Sequence, residues 1–100
     1  MTDLEMTKLC AEAMGCELTM ENGKPQMVIL FRGHLTNYCD YDPLHDDAQA
    51  MALVKKFHIA LGWNKPGWAA FGQHDQRWIR GYDLNRAIVE CVAKMQKALV

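Results

Sequence analysis

One hundred residues with a mass of 11.4 kDa suffice for one domain and leave no room for a second core. Half the residues are apolar and 23% are charged, which excludes a disordered chain. A formal net charge of -1 argues against a protein that coats DNA, RNA or an anionic membrane, and the longest apolar run, Met27 to Phe31, is far too short to span a bilayer.

The opening Met1-Thr2-Asp3-Leu4-Glu5 carries acids where a secretory signal carries bases, so a cytoplasmic location is expected, with Cys10, Cys16, Cys39 and Cys91 reduced. Thr2 to Glu5 reads as a capping box. The stripe Leu4, Met6, Leu9, Cys10, Ala13, Met14 then predicts a helix over 3–14, stopped by Gly15. Glu21-Asn22-Gly23-Lys24 is a hairpin turn. Gln26 to Phe31 follows as a strand apolar enough to be covered on both faces. Residues 33–41 fit a loop or a further strand.

Asp-Pro at 42–43 and the acids Asp46 and Asp47 prepare a second helix over 46–57. Its expected buried side is Ala48, Met51, Ala52, Val54 and Phe57, with Lys55 and Lys56 at its C-terminal end. Short strands are predicted at 58–62, 68–71 and 77–82, separated by the turns Asn64 to Gly67 and Gly72 to Asp75. Asp83 caps the last helix, over 83–97, whose stripe is Leu84, Ala87, Ile88, Cys91, Val92, Met95 and Leu99. The pattern describes an α+β domain: a small, mostly antiparallel sheet with three helices packed on it as a three-layer α-β-α sandwich.

The segment Tyr41-Asp42-Pro43-Leu44-His45-Asp46-Asp47-Ala48-Gln49-Ala50-Met51-Ala52-Leu53 resembles the x-P-L-x-D-D-x-x-A-x-x-L segment of small phage and prophage proteins grouped as the phage α-β-α sandwich domain family. The opening helix with Cys10 to Gly15 and the closing Asn85-Arg86-Ala87-Ile88 helix are similar to it as well. The resemblance implies a fold and a phage or prophage origin, hence a bacterial host cytoplasm, and assigns no activity.

Charge is segregated along the chain. Residues 1–50 hold nine acids and three bases, and residues 51–100 hold eight bases and three acids. Within the basic half, Trp63, Lys65, Trp68, His74, Arg77, Trp78, Arg80 and Tyr82 interleave aromatics with bases, with Arg86 as a rim residue. Trp, Tyr and Arg concentrate at the energetic centres of protein interfaces, so binding of a host or phage protein is the expected function. Nucleic-acid binding through residues 63–80 is the first alternative, because aromatics can stack on bases while cations pair with phosphates. Packing of the tryptophans under the helices, or in a homodimer, is the structural alternative.

Asp42, His45, Asp46 and Asp47 form a second cluster, which could hold a divalent cation or serve simply as cap and turn. Cap and turn explain it better, because the alternating carboxylates of a calcium loop are missing. Cysteine and histidine pairs at zinc-site spacing are absent, and there is no serine anywhere in the chain. No Gly-rich phosphate loop is present either. No catalytic residue, metal or cofactor is therefore expected, and a non-catalytic binding module is favoured over an enzyme.

Overall fold

The structure is a computed structural model that describes residues 1–31, 33–64, 67–72, 78–81 and 83–99. Thr2 caps α1 (Asp3–Met14) by accepting a hydrogen bond from the Glu5 N–H, and Gly15 closes the helix in the left-handed conformation. The chain then forms β1 (Leu18–Glu21), β2 (Lys24–Phe31) and β3 (His34–Asp40), an antiparallel sheet in the order β1-β2-β3. Asn22 and Gly23 both have positive φ (53° and 75°), the conformation that a two-residue hairpin turn requires.

Asp46 caps α2 (Asp47–Phe57), and the chain continues through β4 (Ala60–Asn64), β5 (Gly67–Phe71) and β6 (Trp78–Gly81). These strands make a second antiparallel sheet, ordered β4-β5-β6. Asp83 caps α3 (Leu84–Ala98). The result is an α+β domain whose strands, among the described residues, divide into two three-stranded sheets instead of forming a single one. Each sheet is a local meander between two helices, so no long-range strand pairing is needed to build it.

Helix α3 holds the domain together, packing on α1, α2, β5 and β6. It buries Asn85, Ala87, Ile88, Val89, Cys91, Val92, Ala93 and Met95, more than the single stripe expected, because partners lie on several sides. Val89, outside the predicted stripe, is fully buried, while Leu99, within it, is 76% exposed at the helix end. Helix α2 packs Val54 and Phe57 on the core as expected, but the rest of its buried side differs. Ala50 and Leu53 face the core, and Ala48 and Met51 are exposed. The reason is local: buried Tyr41, Pro43 and Leu44 anchor the chain just before the helix and fix its rotation, which a short helix rich in alanine does not specify itself.

The covering expected for β2 is incomplete. Met27 and Leu18 pack on the core beside α1, but Ile29, Met20 and Tyr38 are 38%, 46% and 40% exposed. Strand β1 stops opposite Met27, so the outer half of β2 runs beyond it, paired with β3. The other side of β3 is the sheet edge. There the Tyr38 N–H donates to Asn37 Oδ1 at 2.8 Å, and Gln49 Nε2 donates to the Asp40 carbonyl at 2.7 Å. Gln49 also accepts from the Asp42 N–H, so this one side chain joins the end of β3 to the turn before α2.

Candidate functional site

The second sheet brings two of the sequence-derived site residues together. With Asn64 opposite Gly67, Trp63 falls directly opposite Trp68 on the neighbouring strand. Their rings meet edge to face, with centroids 5.2 Å apart and planes at 64°. Trp68 packs against the core together with Leu61, and Ala70 on the same row is fully buried. Trp63, at the end of this row, is 59% exposed. One indole is thus an anchor and the other is displayed, at a place where the hairpin holds both.

Trp78 and Arg80 lie on β6, opposite Phe71 and Ala69 respectively, so the register does not set either of them beside Trp68. Lys65, His74, Arg77 and Tyr82 lie outside the described residues. Arg86, the expected rim residue, is exposed and donates from Nη1 to Asp3 Oδ1 at 2.9 Å, tying α3 to the start of α1. Leu61, next to Trp63 on the same row and packed on the core, is not singled out from the sequence. Its signal is the Asn64–Gly67 turn, which fixes residue 63 against 68 and residue 61 against 70.

The second cluster is engaged in structure at every position. His45 Nδ1 and Asp42 Oδ2 are 2.8 Å apart across an exposed turn. Asp46 Oδ1 accepts the Gln49 N–H at the start of α2, and Asp47 Oδ1 accepts from the buried Asn85 amide at 2.8 Å, joining α2 to α3. No group of three or more His, Cys, Asp or Glu side chains among the described residues is placed to hold a metal ion. Asp42 and His45 border a groove of about 370 Å³ whose other acids are also occupied, Asp3 by Arg86 and Asp40 by Gln26.

Among the described residues, two core groups carry clear electrostatic perturbations, Cys10 and Tyr41. Burial, with nearby Cys91 adding, pushes the Cys10 thiol from its ordinary 9.0 up to about 12, and its Sγ donates to the Val89 carbonyl at 3.4 Å. Burial likewise raises the Tyr41 hydroxyl well above its ordinary range, with Cys10 and Cys16 contributing. Such groups stay neutral and serve packing; they are poor nucleophiles.

No helix among the described residues is long and apolar enough to cross a membrane. Compared with protein-family models, curated proteins and solved structures, the chain matches none.

Proposed function

We propose that this domain is a non-catalytic protein-recognition module that docks a host or phage protein through the β4–β5 end of its second sheet, with Trp63 as the central contact. The observation that carries this reading is the pairing of a displayed indole with a half-buried one that packs on the core. Trp63 is exposed, yet its ring is already held against Trp68, so little conformational entropy is lost when a partner covers it. The segregated basic charge of residues 51–100 supports an interface on this half of the chain. The phage or prophage origin implied by residues 41–53 belongs to the same proposal, as does the bacterial cytoplasm as its setting.

The test is capture from a bacterial lysate with the tagged wild-type chain and with Trp63→Ala, each with and without nuclease. A stoichiometric protein held by wild type, retained after nuclease and lost with Trp63→Ala is the expected outcome. The substitution removes only an edge-to-face contact worth about 1 kcal/mol, so the variant should still unfold cooperatively. Capture that disappears with nuclease would instead establish nucleic-acid binding. Equal capture by both chains would remove Trp63 from the interface.

A further inference from the structure

Strand β1 is an outer strand of the first sheet, and its register fixes where its backbone groups point. The Val28 N–H donates to the Glu17 carbonyl at 2.9 Å, so Glu17 and Val28 are a hydrogen-bonded pair. By the alternation of an antiparallel ladder, Thr19 with Gln26 and Glu21 with Lys24 are such pairs too. Leu18 and Met20 fall between them, opposite Met27 and Pro25, and turn their N–H and C=O groups outward. Pro25 agrees with this phase: it has no N–H to offer Met20, and its carbonyl accepts from the Tyr41 N–H at 3.1 Å on the β3 side. Among the described residues, no backbone partner meets the outward groups of Leu18 and Met20.

These groups border a groove of about 290 Å³, with Leu18, Thr19 and Met20 on one side and Lys8, Ala11 and Glu12 of α1 on the other. Side chains alternate between the faces of a strand, so a groove on one face would touch Leu18 and Met20 alone. Lining by three successive residues places it along the strand edge. The facing wall is one side of α1, because its residues are spaced i, i+3 and i+4. Ala11 gives this wall a small apolar centre, while Lys8 and Glu12 are exposed and join no ion pair among the described residues. A groove of this volume has room for a short extended segment and not for a folded copy of the chain. The opposite edge of the same sheet differs, since Asn37 and Gln49 engage it.

We propose that this groove takes an extended segment of a protein partner, which adds to the first sheet as a fourth strand by pairing with Leu18 and Met20. The segment seats an aliphatic side chain against Ala11 and sets one acidic and one basic residue against Lys8 and Glu12. Outward donors and acceptors that recur every second residue, about 6.8 Å apart, match the repeat of another extended chain. The helix wall adds the side-chain selection that main-chain bonds lack. The contact is independent of the tryptophan face and would make the domain an adaptor with two docking surfaces.

The experiment is a titration of the full chain, followed through its amide resonances, with the blocked pentapeptide Glu-Thr-Val-Thr-Lys and two N-methylated forms. One form is methylated at its valine and the other at both threonines. In an extended chain these N–H groups point to opposite edges, so only one set can meet β1. The parent peptide is expected to shift Leu18 and Met20 and to slow exchange of their N–H groups. One N-methyl form should bind at least about fivefold more weakly and the other within about twofold of the parent. Met20→Pro removes an outward N–H that the ladder to β2 does not use, so it should weaken the parent peptide at least about fivefold. K8Q/E12Q, at exposed positions, should weaken it about threefold with an unchanged melting profile. No shift at Leu18 and Met20 up to about 5 mM peptide, equal effects of the two N-methyl forms, or full binding by K8Q/E12Q would overturn the proposal. Shifts of these amides on concentrating the chain alone would overturn it in favour of self-pairing. Shifts confined to the Trp63 region would overturn it too, while leaving the recognition face intact.

Discussion

Replacing Ile88 with alanine is expected to lower the stability of the domain by about 3 kcal/mol, whereas Leu99→Ala should change it by less than about 0.5 kcal/mol. Both residues fall on the same apolar stripe of α3, so periodicity alone would rank them together. Ile88 is fully buried in the core that α3 shares with α1, α2 and the second sheet, and Leu99 is 76% exposed. Truncating Ile88 removes transfer free energy and leaves a void that neighbouring α-carbons are too tightly held to close, since Ala87 and Val89 beside it are buried as well. A domain of this size has a total stability of about 5–15 kcal/mol, so the loss would be a large fraction of it and would lower the melting temperature by roughly 15 °C. Urea titrations of the two variants give the comparison directly. Similar midpoints for Ile88→Ala and wild type would mean that α3 is not the hub of the core.

Alkaline solution is the second condition under which a large effect is expected. The Cys10 thiol is held neutral in the folded domain up to about pH 12, first by burial and then by Cys91, but in the unfolded chain it ionises near 9.0. Its contribution is fully present below pH 9.0. Above that, unfolding releases a proton, so stability falls as pH rises, by about 1.4 kcal/mol per pH unit for one such group. Tyr41, raised in the same sense from an ordinary 10.0, steepens the fall above pH 10. Its hydroxyl is buried without a hydrogen-bond partner among the described residues. Urea midpoints measured from pH 7 to pH 11 should be level at first and then drop. In Cys10→Ala the drop should begin about one pH unit later, at the onset of the tyrosine. Parallel curves for the two proteins would show that Cys10 is not the group responsible.

Much of the architecture is readable from local chemistry. The capping residues Thr2, Asp46 and Asp83, the Asn22-Gly23 turn and the stop at Gly15 mark element ends because each satisfies a backbone requirement with its own side chain or dihedral. What local chemistry does not carry is the rotation of one element against another. The buried side of α2 follows from Pro43 and Leu44, which lie before the helix, and the burial of Val89 follows from how many partners surround α3. The separation of the strands into two sheets is likewise a matter of which helix each meander reaches.

The candidate site divides in the same way. That residues 63 and 68 face each other is contained in the turn between them. Which indole is displayed depends on where the row ends relative to α3, and nothing in the local sequence encodes that.

The bond from the Tyr38 N–H to Asn37 Oδ1 bears on how the protein behaves at high concentration. Strand β3 is seven residues long, lies at the border of its sheet, and contains neither proline nor lysine, the residues that commonly keep such borders from recruiting another strand. By occupying an outward N–H with its own amide, Asn37 removes a rung on which a second molecule could begin to zip, and Gln49 does the same for the Asp40 carbonyl. Asn37→Val would keep the strand and raise its β propensity while reopening that rung. The variant should therefore match wild type in melting temperature yet scatter light at concentrations where wild type stays clear. A single exposed amide would then set the solubility limit of the whole domain.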